Sequence, residues 1–366
     1  MRVTDQVSLG LLAILIGLAA GVVLFVPFVA ISYRRRGGLR MSRVVLWGSA
    51  LVYFWAIWTY TLLPLPAPAE VRCAGVNLNP FELVDDLATA FSRPGPWIAD
   101  PAVLQLLLNV LLFVPLGFFV RVLGRRGILI AGLVGLGFSV FIETTQLTGV
   151  WGLYPCAYRV FDVDDMITNT TGALLGSLIA LVVPARWRGV PRLPAADLPR
   201  PVTRGRRALA MLCDGLGFWT TATVAALVVQ LSLQLVAGIT GDAALAQTTA
   251  AGVVGTVSAI IVWVAVGLTT GRSVGDLCVM LRYEGGPLPA WIARPLRLAG
   301  GVVGYTVLDA LPDPWSFLGG IFLLAMFLAF FWTKNGRGLP GILSRQDVVD
   351  ARGEATSAAE TPAPRP

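Results

Sequence analysis

Three carboxylates and an amide stand at the start of an apolar stretch of the sequence. Asp162, Asp164 and Asp165 precede the stretch, and Asn169 follows just inside it. Hydrocarbon penalises polar and charged side chains, so groups at this position need partners or a function. Because carboxylates can hold amines, hydroxyl groups or a divalent cation, or act as a general base, this segment is the main candidate for chemistry.

Two preceding apolar stretches carry further polar side chains that could meet these acids. Ser139, Glu143 and Gln146 follow one another at spacings of four and three residues, which places all three on one face of a helix. Asn109 lies in the stretch before them. For the amides and the hydroxyl, interhelical hydrogen bonding is the alternative function, at about 1 kcal/mol for each pair. A concentration of carboxylates is not needed for such bonding, so we interpret Glu143 and the aspartates as functional.

The composition and the apolar runs indicate which secondary-structure elements position these residues. The chain has 366 residues, of which 56% are hydrophobic and only 13% are charged, whereas a soluble domain carries roughly twice that charged fraction. Continuous apolar runs of roughly 20 residues predict an all-α polytopic membrane protein with two helical bundles, and they disfavour a β-barrel. We expect about nine spans, at 8–31, 44–64, 103–123, 127–149, 166–184, 209–236, 249–269, 297–312 and 315–333, of which 297–312 either crosses or is re-entrant.

Charge indicates the orientation of these spans. The formal net charge of +7 comes with arginine clusters between spans, which reflects membrane topology and not binding to nucleic acid. The clusters predict an N-terminus outside and a C-terminus in the cytoplasm. The predicted domains are residues 1–185, a Pro- and Arg-rich cytoplasmic linker at 186–206, residues 207–346, and a disordered tail at 347–366.

Histidine and cysteine usage excludes some kinds of site. The chain has no histidine and four cysteines without CxxC spacing, so we expect neither a metal centre nor a cofactor. The predicted topology places Cys73 and Cys156 in extracytoplasmic loops, where an oxidising environment permits a disulfide between them.

Several motifs in the first half resemble the VanZ-like family over about residues 45–182. They are Thr61-Leu-Leu-Pro64, Val76-Asn-Leu-Asn-Pro-Phe81, Asn109-Val-Leu-Leu-Phe-Val-Pro-Leu-Gly117, Ser139-Val-Phe-Ile-Glu-Thr-Thr-Gln146, and Arg159-Val-Phe-Asp-Val-Asp-Asp165 followed by Asn169-Thr-Thr-Gly172. The resemblance implies a bacterial cell-envelope role, with reduced action of teicoplanin-type glycopeptide antibiotics. The family's polar positions correspond to Asn109, Glu143, Gln146, Asp162, Asp165 and Asn169.

The second half resembles the RDD family of small membrane domains over about residues 204–348. Arg207, Ala210 and Asp214 match the opening motif, and the segment 271–282 matches the middle one. The closing motif departs from the family, because Leu339-Pro340-Gly341 stands where Leu-His-Asp is usual. Arg207 and Asp214 share a helix face two turns apart, too far for a direct ion pair in one straight helix.

These observations support three hypotheses. The leading one is a non-enzymatic protein of the bacterial cytoplasmic membrane whose outward acidic pocket binds a lipid-linked cell-wall precursor or a lipoglycopeptide, with Arg159 at an anionic headgroup. The second is a membrane enzyme with Glu143 or Asp165 as base and Mg²⁺ on Asp162, Asp164 and Asp165. The third is cation- or proton-coupled transport through Glu143, Arg207 and Asp214. In all three hypotheses the lipid bilayer is a partner and nucleic acid is not.

Overall fold

The computed structural model describes residues 3–67, 69, 71–236, 238, 239, 241 and 247–352. Most of these residues are helical, and seven helices are long and apolar enough to cross a membrane. Their outer faces carry many exposed leucine, isoleucine and valine side chains, as lipid-facing surfaces do. The structure thus agrees with an all-α, multi-pass membrane protein. The seven segments are Val7–Arg36, Met41–Leu62, Pro101–Val122, Ile128–Leu147, Val163–Val182, Arg204–Leu235 and Thr248–Thr270.

The two remaining predicted spans differ from this set. The segment expected at 297–312 is interrupted at Gly300 and Gly301, which separate two short helices. The second of them, Val302–Asp309, has 8 residues and extends about 12 Å, well short of the roughly 30 Å of hydrocarbon. The last predicted span is a 16-residue apolar helix, Phe317–Trp332.

The chain divides into two compact units. The first comprises Met1–Gly21 and Met41–Val190, and the second comprises Val22–Arg40 and Pro191–Pro366. The N-terminal helix α1 therefore contributes a part to each unit. The boundary at Val190 falls inside the predicted linker, where the described backbone forms a short turn of 3₁₀ helix at Pro194–Ala196.

The first unit is organised around three closely packed helices. Gly117, Gly172 and Gly176 lie at the contact between two of them, Pro101–Val122 and Val163–Ile179, and a Cβ atom at any of these glycines would overlap a backbone carbonyl of the facing helix. Ile57, Phe113 and Ile142 fill the apolar core beside this contact. The elements are α1 (Val3–Arg36), α2 (Met41–Leu62), β1 (Val76–Asn77), α3 (Glu82–Ser92), α4 (Pro101–Val122), α5 (Ile128–Leu147), the left-handed helical turn α6 (Gly149–Gly152), β2 (Phe161–Asp162) and α7 (Val163–Ile179).

The second unit packs a long helix against several shorter ones. Val29, Ala210, Cys213 and Val279 lie in its buried core, and Gly255 allows the close approach of two spanning helices. The elements are α8 (Arg204–Leu235), α9 (Thr248–Thr270), α10 (Val274–Cys278), β3 (Leu281–Glu284), α11 (Ala290–Ala299), α12 (Val302–Asp309), α13 (Phe317–Trp332), α14 (Gly338–Ser344) and β4 (Asp347–Asp350).

The first residues of the predicted disordered tail are ordered in the structure. Residues 347–350 form β4, which pairs antiparallel with β3 and aligns Leu281 with Asp350. The Asp350 carboxylate accepts a hydrogen bond from the Arg206 guanidinium at 2.7 Å, which anchors the strand. The expectation is therefore wrong for 347–352, and residues 353–366 of the predicted tail lie outside the described part of the chain.

Candidate functional site

Asp162 connects a short strand to a spanning helix. As the N-cap of α7, its Oδ1 accepts a hydrogen bond from the Asp164 amide at 2.9 Å, which satisfies a backbone donor of the first turn. The same oxygen accepts one from Asn77 Nδ2 at 3.1 Å. Since β1 and β2 pair in parallel with Asn77 opposite Asp162, the strand register positions this contact.

Two spanning helices bring further side chains to Asp162 and Asp165. Glu143, only 2% exposed near the end of α5, accepts a hydrogen bond from the Asp162 amide at 3.0 Å. Asn109 of α4 donates its amide to Asp165 Oδ1 at 2.6 Å, and the Gln105 side chain also hydrogen-bonds that carboxyl group. The predicted meeting of Asn109, Glu143 and the aspartates is therefore present in the structure.

Asp164 has a different partner. Its Oδ2 accepts a hydrogen bond from the Leu83 amide at 2.8 Å, in the first turn of α3. That helix has no side-chain cap of its own at Phe81, so a carboxylate from another element takes a free donor at the positive helix end. The other oxygen, Asp164 Oδ1, is buried and has no hydrogen-bond partner. An unpaired buried acceptor of this kind is costly unless a donor reaches it.

Gln146 and Arg159 bind the end of α2 rather than the acids. Gln146 Nε2 and Arg159 Nη1 both donate to the Thr61 carbonyl, at 2.9 and 3.0 Å. Thr61 lies in the last turn of α2, where carbonyl groups lack intrahelical partners. Arg159 also reaches the Leu63 carbonyl at 3.5 Å. These two predicted site residues thus fix the helix end beside the acids.

Asn169 lies deeper in the same helix as Asp165 and contacts α5. Its Nδ2 donates to Ser139 Oγ at 2.9 Å, and both side chains are buried. Its Oδ1 has no hydrogen-bond partner. This pair joins two helices in the way expected of polar groups within a membrane bundle.

The loops over the site are tied together covalently and by hydrogen bonds. Cys73 and Cys156 form a disulfide, and the Ala74 amide donates to the Ala157 carbonyl at 2.9 Å. The Tyr158 hydroxyl donates to the Leu62 carbonyl at 3.3 Å, and burial raises the pKa of this phenol, so it stays a neutral donor. The site is therefore held at its loop end as well as by its helices.

We call Glu143, Asp162, Asp164 and Asp165 the carboxylate cluster. The hydrogen bonds that the structure gives these four groups come from backbone amides and from Asn77, Asn109 and Gln105. Within the described residues, no arginine forms an ion pair with the cluster, and no group of three or more acids or cysteines is arranged to hold a metal ion. The charge of Arg159 acts on Glu143 without forming an ion pair, so the four carboxyl groups of the cluster outnumber the cations near them.

A second polar site lies in the second unit, and we call it the arginine–aspartate network. Arg207 and Asp214 are both buried, but they do not pair with each other. Arg207 forms an ion pair with Asp276 and donates to the Tyr283 hydroxyl at 2.7 Å. Asp214 accepts from Ser273 Oγ at 2.6 Å. Its other oxygen accepts from the backbone of Gly275 at 2.8 Å and from Trp263 Nε1 at 3.3 Å.

Some members of both sites were not singled out from the sequence. Asp276 had a local signal, because Ser273 and Asp276 form a capping box at the start of α10. Burial raises the pKa of Tyr283, which keeps the partner of Arg207 protonated. Gln105 and the Leu83 amide had no comparable signal, since they reach the carboxylate cluster only through tertiary packing.

Comparison with known proteins supports a VanZ-like assignment for the first unit. Residues 50–184 match the family described as VanZ/LLP1, and this range contains the whole carboxylate cluster. No curated protein and no solved structure gives a significant match to the chain. The match therefore supports a VanZ-like part, at residues 50–184, within a multi-pass membrane protein.

Proposed function

We propose that this protein acts in the cell envelope, in the bacterial cytoplasmic membrane, and lowers susceptibility to teicoplanin-type glycopeptide antibiotics. In this proposal the carboxylate cluster faces outward and binds the amine or hydroxyl groups of an envelope ligand. A lipid-linked cell-wall precursor and a lipoglycopeptide both carry such groups on an apolar anchor.

The observation that carries this proposal is the charge imbalance of the cluster. Four carboxyl groups approach one another, while their hydrogen-bond donors are neutral amides. A purely structural site would favour compensated charges, because an unpaired buried charge is expensive. The buried Asp164 Oδ1 has no hydrogen-bond partner in the structure, so one acceptor of the cluster is unsatisfied. Amines and hydroxyl groups are the donors that complete such a set.

The distribution of arginine supports the proposed orientation. Glu143 near the end of α5 and Asp162 at the start of α7 lie at the same end of the bundle. At the other end of α4, Arg121 lies in the last turn, and Arg125 and Arg126 follow the helix. Since arginine-rich segments stay in the cytoplasm, this arrangement favours a cluster on the outer side.

The second unit is proposed to be an RDD-like domain fused to the first. In support, its two recognised motifs meet in space, because Gly275 packs directly against the Ala210 carbonyl. Arg207 of the opening motif also pairs with Asp276 of the middle motif. The proposal assigns the antibiotic effect to the first unit alone.

Expression in a glycopeptide-susceptible bacterium tests the function. We expect the intact protein to raise the minimal inhibitory concentration of teicoplanin, and Glu143→Gln and Asp165→Asn to abolish most of this increase. Both changes remove negative charge while keeping side-chain size and an acceptor oxygen. Membrane levels of each variant are measured by immunoblot so that loss of protein is not mistaken for loss of function.

Asp85→Asn is the matched control, because Asp85 is exposed on α3, two positions after the Leu83 amide that binds Asp164, and is not part of the cluster. It should protect as well as the intact chain. Equal protection by all variants would contradict a role for the carboxylate cluster. An intact protein without any protective effect would contradict the antibiotic function itself.

A further inference from the structure

The second unit contains a cavity that the proposed function does not use. Its volume is about 490 Å³, within the roughly 300–1,000 Å³ typical of small-molecule sites. The cavity lies between α8, α9 and the helices that follow them, and the arginine–aspartate network forms one of its ends. It is therefore separate from the carboxylate cluster in the first unit.

The polar end of the cavity has more cationic than anionic side chains. Four arginines line it against two aspartates, namely Arg207, Arg272, Arg294 and Arg297 against Asp214 and Asp276. Asp276 is already paired with Arg207, and Asp214 accepts its hydrogen bonds from neutral donors. The excess positive charge therefore has no carboxylate partner at this end, and an anion would compensate it.

The three remaining arginines differ in the number of hydrogen-bond and ring partners that their guanidinium groups have. Arg294 donates to backbone carbonyls of α9, and Arg297 donates to Gln346 and lies over the Tyr283 ring at 5.1 Å. Among the described residues, the half-buried Arg272 guanidinium makes no hydrogen bond and no ion pair. The buried Nε atom of Arg207 also lacks a partner. Guanidinium donors of this kind match the oxygens of a phosphate group.

The rest of the cavity is apolar and reaches the lipid-facing surface. Phe218, Ala222 and Val302 line its wall. Trp219 and Leu323 also belong to this wall, yet they remain 57% and 47% exposed. In a spanning bundle such exposed apolar side chains face acyl chains, so a lipid tail has access to the apolar end.

We propose that this cavity binds an anionic phospholipid, with the headgroup phosphate at Arg272 and the adjoining arginines and an acyl chain along the apolar wall. The juxtaposition of uncompensated guanidinium groups with a lipid-accessible apolar wall selects a phosphate that carries a hydrocarbon chain. A free phosphate ion would use only the polar end. A zwitterionic lipid would bring a cationic group beside the arginines.

Isothermal titration of the purified full-length chain in a nonionic detergent tests this site. Short-chain phosphatidylglycerol is titrated beside short-chain phosphatidylcholine and inorganic phosphate. We expect phosphatidylglycerol to bind most tightly, and Arg272→Gln to weaken its binding about tenfold or more, since a charge-assisted contact is lost. Val302→Trp, which fills the apolar end, should weaken phosphatidylglycerol binding without changing that of inorganic phosphate.

Arg192→Gln is the matched control, because Arg192 is exposed, pairs with Asp197 and lies outside the cavity. It should bind phosphatidylglycerol like the unaltered chain. Equal affinity of the unaltered chain and Arg272→Gln would overturn the proposal. Binding of inorganic phosphate as tight as that of phosphatidylglycerol would also overturn it, in favour of a free-anion site. The three-ligand comparison on the unaltered chain decides this second point even if a variant fails to fold.

Discussion

The two units both bury aspartates near the ends of spanning helices, but they compensate these charges in opposite ways. In the first unit, the carboxylate cluster is held by backbone amides and by the side-chain amides of Asn77 and Asn109. In the second unit, Asp276 and Asp350 form ion pairs with Arg207 and Arg206.

The ion pairs of the second unit neutralise their charges within the protein. The neutral donors of the first unit leave negatively charged acceptors that a ligand can use. A buried ion pair satisfies both partners, and removing either leaves the other uncompensated. Neutral donors fix the position of a carboxylate but leave its negative charge for a further donor. The comparison therefore favours structural roles for Asp276 and Asp350 and ligand binding for the carboxylate cluster.

The largest predicted effect is the loss of the buried ion pair in the second unit. Asp276 is 1% exposed in this pair, so Asp276→Ala should lower the free energy of unfolding by about 3–5 kcal/mol. Asp347→Ala is the control, because the Asp347 side chain is 75% exposed beside Arg337 and such pairs contribute less than about 1 kcal/mol. Melting temperatures in detergent measure both. Similar shifts would contradict a special role for the buried pair.

The disulfide is expected to stabilise only the first unit. Cys73 and Cys156 are separated by 83 positions, so replacing both with serine should cost about 2–4 kcal/mol. A reducing agent should lower the melting temperature of the unaltered chain by a similar amount. It should leave the double variant unchanged, because Cys213 and Cys278 are free thiols. If the reducing agent also lowered the melting temperature of the double variant, its effect would not come from the bond between Cys73 and Cys156.

The ion pair at β4 should make stability depend on acid pH. Burial disfavours ionisation of Asp350, but hydrogen bonds from Arg206 and from the Arg352 amide, with the Arg206 charge, hold its pKa below its usual range. This contribution is complete above the pKa of the unfolded chain, about 3.9, and is lost as the pH falls through the lower folded value.

Denaturant unfolding between about pH 2.5 and 7 measures this dependence on Asp350. The unaltered chain should lose stability below about pH 4, and the curve of Asp350→Asn should be flatter there. Parallel curves for the two proteins would assign the acid sensitivity to other carboxylates.

The smallest predicted effect on stability belongs to the carboxylate cluster. Asp165→Asn keeps an oxygen for the amide of Asn109, so we expect a change of about 0–1 kcal/mol. The same variant should nevertheless lose antibiotic protection in the proposed function. A destabilisation as large as that of Asp276→Ala would remove the distinction between the two units.

Much of the fold follows from sequence periodicity. Continuous apolar runs indicated the seven long helices, because a spanning helix must satisfy its backbone hydrogen bonds internally. The helix spacing also put Ser139, Glu143 and Gln146 on one face, and all three are buried in the structure. Hydropathy could not show the interruption at Gly300, since it averages composition over a window and does not report where the helical backbone breaks.

The sequence by itself determined which polar residues enter the membrane region and near which helix ends they stand. Only the tertiary structure decided their partners. Gln146 binds the end of α2, Asp164 takes a free amide of α3, and Arg207 pairs with Asp276 and not with Asp214. The physical reason is that helix spacing relates residues within one element, whereas a buried polar group takes whichever donor or acceptor packing brings within hydrogen-bond distance.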